Sequence, residues 1–235
     1  MNKIEFKQGI KDGIPICLGY FSVSMAFGLS AVKMGIPAWM AVLMSLTNLT
    51  SAGQFAGTTL LASGGAYLEL IASMLIINAR YFLMSISVSQ KLDGRFTIAK
   101  RLMVAFGITD EVFAVSMQRK GELTFHYMMG LIATPVIGWT MGTLTGAVAS
   151  TLLPPILSDA MGIALYGMFI AIIVPPARES KSILLAVLMA IALSYAFAYV
   201  PFLSNISGGW SVILVTVIVS GIVSVIYPIE EKEEE

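Results

Sequence analysis

The chain has 235 residues, of which 57% are hydrophobic and 12% are charged, whereas a typical soluble domain is about 45–50% apolar and about 25% charged. Its 14 basic and 14 acidic residues balance, so the chain has no net field that would attract nucleic acid. This composition excludes a soluble enzyme, a nucleic-acid-binding protein, a disordered chain and a disulfide scaffold. It predicts an all-α, polytopic integral membrane bundle.

Apolar segments of about 20 residues, the length that a membrane-crossing helix needs, follow one another along the chain. We expect about six to eight of them to build the bundle, as one membrane domain over residues 1–235. A cytoplasmic N-terminus is expected at 1–13 and an acidic tail at 229–235. In chain order the segments are Ile14–Val32, Ala38–Ala62, Ala66–Ser89, Leu102–Met117, Phe125–Leu152, Ala160–Val174, Ser182–Val200 and Trp210–Tyr227.

The basic residues bear on orientation, because Lys and Arg are enriched in short cytoplasmic loops. If all the segments cross the membrane from an inside N-terminus, the most basic connection, Gln90–Arg101, lies outside. If segments 2 and 4 instead enter the membrane and return, every basic stretch faces the cytoplasm except Lys33. Both arrangements are open at this point.

Segments 2 and 4 each contain a polar interruption. Segment 2 contains the run Ser45–Gln54, and segment 4 contains Gly107–Glu111. Polar backbone is tolerated at membrane depth only where protein or a water-filled cavity satisfies its hydrogen bonds. Broken or re-entrant helices are therefore predicted at these two places.

Two adjacent carboxylates, Asp110 and Glu111, lie at the interruption of segment 4. An Asp at the centre of a membrane helix costs about 2.5–3.5 kcal/mol on insertion scales, so neither is expected to face lipid. One interpretation is a carrier of protons or cations. The other is local, because Thr109 is a good N-cap and acidic residues suit the first turn of a helix. The two are compatible, since half-helix starts near the midplane are typical of transporter binding sites.

Asn78 and Arg80 lie inside segment 3. In a straight helix Arg80 would lie about 15 Å from Gln90, too deep for its side chain to reach the membrane surface without strain. An arginine inside a membrane bundle usually pairs with a carboxylate. The expected partner is Asp110, Glu111 or the carboxylate of a substrate.

Asn48, Ser51 and Gln54 are spaced three residues apart in segment 2. Such side chains offer hydrogen bonds without charge, as a zwitterionic or neutral polar ligand requires; hydrogen bonding between helices is the alternative. The candidate set for substrate binding or proton coupling is Asn48, Ser51, Gln54, Asn78, Arg80, Asp110 and Glu111.

Gly138, Gly142 and Gly146 recur every fourth residue in segment 5. Small residues at this spacing let another helix approach closely, so these glycines predict helix packing. The sequence has no nucleotide-binding glycine loop, and its single His and single Cys are too few for a usual zinc site. No cofactor and no metal are therefore expected.

Four stretches of the chain resemble the AzlC family: Phe6–Pro15, Ser51–Phe55, Asn78–Met84 and Thr109–Phe113. The family usually has Leu or Phe in place of Ala79 and often His in place of Tyr81. The resemblance implies an exporter of branched-chain amino acids in the cytoplasmic membrane of a prokaryote, with methionine as a further substrate within the family. It also implies a partner, a small hydrophobic subunit of the AzlD type.

The leading hypothesis is a secondary transporter that uses the proton gradient to move apolar amino acids outward. In it, Arg80 binds the substrate carboxylate or holds Asp110 and Glu111, and these two carry the coupling proton. The alternative is a non-transporting membrane scaffold or sensor subunit. An intramembrane enzyme is less favoured, because the sequence has no visible nucleophile–base arrangement.

Overall fold

The computed structural model describes residues 3–152, 170 and 173–228. The named elements of these ranges are helices, so the all-α prediction is confirmed. Segment 6 lies mostly outside the described residues, and the acidic tail 229–235 lies wholly outside them. The helices are α1 Lys3–Lys33, α2 Ala38–Thr47, α3 Ser51–Ala62, α4 Tyr67–Gln90, α5 Ile98–Phe106, α6 Asp110–Gln118, α7 Phe125–Leu152, α8 Lys181–Tyr199 and α9 Gly208–Ile226.

Within the described ranges, five of these helices, namely α1, α4, α7, α8 and α9, are long and apolar enough to cross a membrane. α1 begins earlier than its apolar segment predicted, because the polar residues before it bind the start of α7. Glu5 forms an ion pair of 2.6 Å with Arg119, and Tyr127 donates a hydrogen bond of 3.0 Å to Asp12. The charged N-terminal stretch is therefore held as helix.

α1 and α7 pack against each other in parallel, with their backbones in close contact. A methyl group on Gly138 would collide with the carbonyl oxygen of Cys17, and one on Gly146 with that of Met25. Residue numbers rise together along this interface, which shows that the two helices run in the same direction. Gly142 lies between these glycines, against Phe21, so all three packing glycines of segment 5 face α1.

α4 runs in the opposite direction to α1 and α7. Its last turn packs near the start of α7, where Val88 belongs to the same buried cluster as Tyr127. Leu123 donates a backbone hydrogen bond of 2.8 Å to Lys91, directly after α4. The first turn of α4 lies at the other end, where Glu69 lines a cavity together with Met34, just after α1.

Segments 2 and 4 therefore return to the end of the bundle from which they enter. α2 and α3 connect the end of α1 to the start of α4, and both of these lie at one end. α5 and α6 connect the end of α4 to the start of α7, and both lie at the other end. α2 has 10 residues, or about 15 Å, half of the roughly 30 Å hydrocarbon core. The prediction of broken helices in these two segments is confirmed.

The end that contains the start of α1, the end of α4 and the start of α7 is called the basic end below. It carries Lys7, Lys91 and Arg119, and the Lys91 ammonium donates to the carbonyl oxygens of Met117, at 2.7 Å, and of Arg119. Since three of the basic stretches meet there, the return of segments 2 and 4 removes the conflict with the positive-inside rule that eight crossings created.

Candidate functional site

Each broken segment has a short non-helical stretch, at residues 48–50 and 107–109. A threonine ends each stretch and caps the next helix. The Thr50 hydroxyl accepts from the Gly53 amide at 3.3 Å, and the Thr109 hydroxyl accepts from the Val112 amide at 3.4 Å. These caps satisfy amide groups that a helix start leaves unpaired, which is what a break at membrane depth requires.

The two breaks line one cavity of about 200 Å³. Asn48 and Thr50 contribute from the first break and Ile108 from the second, while Asn78 and Tyr81 contribute from α4. α4 therefore lies beside both hairpins, and its polar side chains meet both breaks. The cavity combines apolar walls with amide and hydroxyl groups, the usual make-up of a small-molecule site.

Asn78 is tied to the first break. The Thr50 hydroxyl donates to the Asn78 side-chain oxygen at 2.6 Å, and the Thr50 amide donates to the Asn48 side-chain oxygen at 2.9 Å. The two predicted asparagines are thus joined through a threonine that the sequence analysis did not single out. Ser51, half-buried as the first residue of α3, does not line this cavity.

Arg80 is tied to the second break. Its guanidinium forms an ion pair of 3.0 Å with Asp110, the first residue of α6. The side chains of Arg80 and Asp110 remain 47% and 40% exposed, and the guanidinium lies 5.1 Å from the centre of the Tyr81 ring. The pair is accessible from outside the protein, although its position on α4 is about 15 Å from the basic end.

Glu111 points toward α1 and not toward α4, and the Tyr20 hydroxyl of α1 donates a hydrogen bond to it. The Tyr20 ring packs edge-on against Trp139 of α7, with 5.3 Å between ring centres. The Trp139 indole then donates to Gln54 of α3 at 2.6 Å. A continuous chain of contacts therefore links the start of α6 to α3 through the closely packed α1–α7 pair.

Gln54 is almost fully buried inside this chain, at 2% exposure. Its amide group also donates to Ser45 at 3.3 Å, and Ser45 shares a hydrogen bond of 2.7 Å with Thr143. Buried polar groups of this kind fix how helices pack. Gln54 thus holds α2, α3 and α7 together, away from the cavity between the breaks.

The structure brings together Asn48, Asn78, Arg80, Asp110 and Glu111 around the two breaks. Tyr20 and Tyr81 join them but were missed, because a tyrosine in an apolar run has no sequence signal that distinguishes it from ordinary packing. Thr50 did have a signal, the pattern of an N-cap, like that of Thr109. Across the described ranges, no group of three or more His, Cys, Asp and Glu residues is arranged to hold a metal ion.

Comparison with known proteins gives one family. A family model described as "AzlC protein" matches residues 15–153, which is more than half of the chain. The chain is 29% identical over 185 residues to the inner membrane protein YgaZ of Escherichia coli, with 76% of each chain covered. It is 31% identical over 172 residues to a membrane protein of Archaeoglobus fulgidus, covering 72% of this chain and 75% of that one.

A further relative is the branched-chain amino acid transport protein AzlC of Bacillus subtilis. The identity is 26% over 111 residues, and the match covers 47% of this chain and 43% of that protein. No solved structure matches the chain significantly.

Proposed function

The chain belongs to the AzlC family, and on that premise we propose that it exports branched-chain amino acids, and methionine with them, in exchange for protons. Family membership and the apolar helices make it a multi-pass membrane transport protein of the cell membrane. The substrate, the direction of transport and the coupling ion are the proposal.

The observation that carries the proposal is the meeting of two helix breaks with a charged cluster halfway along α4. A zwitterionic amino acid needs a cation for its carboxylate, an anion for its ammonium group and an apolar wall for its side chain. Arg80, Asp110 and Glu111 supply the charges, and Phe106 and Ile108 line the apolar side of the adjoining cavity. The α6 N-terminus, at Asp110, adds a positive dipole end.

Proton coupling follows from competition for the same carboxylates. When ionised, Asp110 and Glu111 attract the substrate ammonium group. A proton that arrives from the outside neutralises a carboxylate, removes that attraction and releases the amino acid outward. When the proton leaves into the cytoplasm, the carboxylate is ionised again, so one proton enters for each amino acid that leaves.

The direction rests on orientation. We place the basic end in the cytoplasm because Lys and Arg are enriched in short cytoplasmic loops. The outer end is then the one where α1 ends and α4 begins. Protons that flow inward down their gradient then drive the amino acid outward.

A small hydrophobic subunit of the AzlD type is the proposed partner. The resemblance to the family implies it, and the exposure of the Arg80–Asp110 pair supports it. Charged side chains at membrane depth do not face lipid, so a half-exposed ion pair on α4 needs either water or protein beside it. Phe82 and Leu83, which are 71% and 65% exposed next to it, offer an apolar surface for a neighbouring helix.

Efflux from proteoliposomes tests the proposal. Vesicles that contain the protein, alone or with a small subunit of the AzlD type, are loaded with labelled leucine, and the external buffer is then acidified. We expect leucine to leave faster when the outside is acidic, and labelled lysine to stay inside. Equal efflux with and without the pH gradient would overturn the proton coupling. If vesicles that contain both subunits release leucine no faster than vesicles without protein, the transport function itself would be overturned.

A further inference from the structure

A second and larger cavity lies at the outer end of the bundle. It has a volume of about 860 Å³, within the range of about 300–1,000 Å³ that ligand pockets occupy. Its walls come from α3, α4 and α9, with Phe55, Leu60, Ile77 and Val212 among the apolar side chains. The glycine-rich turn between α3 and α4 lies at its edge.

Glu69 is the ionisable side chain of this cavity, and it is 3% exposed. The hydroxyl of Ser207 and the backbone amide of Trp210, the latter at 3.1 Å, both donate to the same carboxylate oxygen. Ser207 does not cap α9 with its own side chain, so Glu69 of α4 takes that role. A methyl group on Gly209 would collide with the Glu69 carboxylate, which shows how closely α9 is packed on it.

Ser73 lies one helical turn from Glu69 and lines the same cavity. It is 1% exposed, and its hydroxyl has no hydrogen-bond partner within the part of the chain that the structure describes. A buried hydroxyl without a partner costs about 1–3 kcal/mol, and a serine in a helix commonly avoids that cost by bonding to the preceding turn. The Ser73 hydroxyl is therefore available to a polar group that enters the cavity.

We propose that this cavity is a second amino-acid site, which receives the substrate on its way out by its ammonium group and its aliphatic side chain. The inference rests on the proposed function. The ammonium group lies beside Glu69 and donates to Ser73, and the aliphatic side chain packs on the apolar walls. Among the described residues that line the cavity there is no Lys, Arg or His, so the site selects a cationic head with an apolar body and disfavours an anion.

The position of the cavity along α4 makes it the continuation of the site between the breaks. Ile77 lines the outer cavity and Asn78 lines the inner one. On α3 and the break before it, Ala52 lines the outer cavity and Thr50 the inner one. A substrate that leaves the breaks toward the outside therefore passes along the α3–α4 pair and reaches Glu69 and Ser73.

Thiol labelling tests the site. Cys17 is the single cysteine of the chain, so Cys17→Ser gives a background for Ala56→Cys on the cavity wall, with transport measured on the same variant. A membrane-impermeant thiol reagent added outside is expected to label position 56. Leucine and 3-methylbutylamine, which carry an ammonium group, are expected to slow the labelling, and 4-methylpentanoate, which lacks it, is not. Tyr67→Cys, exposed at the start of α4, is the control that no ligand protects.

Two further variants separate ligand contact from structural damage. Ser73→Ala removes a hydroxyl that bonds to none of the described residues, so it should leave folding unchanged and weaken protection by 3-methylbutylamine about tenfold. Glu69→Gln should abolish the protection, whereas Glu122→Gln, at an exposed position, should leave it intact.

The outcomes divide cleanly. Three results would each overturn the second site: no labelling of position 56, protection by 4-methylpentanoate equal to that by the amine, or unchanged protection in Ser73→Ala. None of them would affect the efflux result, which tests the proposed function. If the wild type moves no leucine, the proposed function fails first.

Discussion

Changing both carboxylates at the start of α6 to amides, Asp110→Asn with Glu111→Gln, is expected to abolish gradient-driven leucine efflux. The amides keep the shapes of the side chains but can neither take up a proton nor attract an ammonium group. Arg80 then lacks its carboxylate partner, and Tyr20 donates to an uncharged oxygen. We expect at least a tenfold loss, because a charge-assisted hydrogen bond is worth about 1.5–3 kcal/mol.

The measurement is labelled leucine efflux with an acidic outside, normalised to the amount of protein in the vesicles. Glu122→Gln with Glu179→Gln is the matched control, since it removes the same two charges from exposed positions. Wild-type efflux by the Asp110/Glu111 variant would remove these carboxylates from the mechanism. An equal loss in the control would show that net charge, and not the site, is responsible.

Replacing Gly142 by alanine is expected to destabilise the protein by about 1–3 kcal/mol, the usual cost of overpacking a core. The added methyl group would collide with the carbonyl oxygen of Phe21 and the hydroxyl of Ser24, so α1 and α7 would have to separate. Alanine otherwise favours a helix over glycine by about 0.8–1 kcal/mol. The change in stability is therefore expected to be opposite in sign to that of a Gly→Ala replacement at an unhindered helix position.

Gly19→Ala is the control on α1, because a methyl group there meets no atom of the described residues within 4 Å apart from the backbone of α1 itself. Thermal unfolding in detergent compares the two variants with the wild type. Gly142→Ala should unfold at a lower temperature, and Gly19→Ala at the same or a higher one. A Gly142→Ala protein as stable as Gly19→Ala would mean that the close approach of α1 and α7 does not depend on this glycine.

The helix breaks were predictable because a run of polar residues inside an apolar segment is unfavourable in lipid. Backbone N–H and C=O groups at membrane depth need hydrogen-bond partners, so such a run indicates a break that protein or water surrounds. Gly107 and Thr109 marked one break by their ordinary helix-stop and N-cap roles, and the polar run Ser45–Gln54 marked the other. The return of both segments was one of two arrangements in the sequence. Basic residues alone do not decide between the two arrangements. The contact between Lys91 and Leu123 decides it for segment 4, and the cavity that Met34 and Glu69 share decides it for segment 2.

The interaction partners of the polar residues were harder to predict from the sequence than the helix breaks were. The cost of burying charge limited Arg80 to a few partners, and the fold of the α5–α6 hairpin places Asp110 beside it. Nothing local connects Tyr20 to Glu111, which is 91 residues away. Glu69 lies at the start of a segment, where a carboxylate would ordinarily face the membrane surface, but α9 folds over it and buries it.

Cysteine accessibility measures most directly whether segments 2 and 4 return, the feature on which the position of the charged cluster depends. In a Cys17→Ser background, Gly94→Cys and Glu122→Cys flank the α5–α6 hairpin, and Tyr67→Cys follows the α2–α3 hairpin. We predict that an impermeant thiol reagent labels positions 94 and 122 only from the cytoplasmic side, and position 67 only from the outside. Labelling of positions 94 and 122 from opposite sides would contradict the account, because the α5–α6 segment would then cross the membrane.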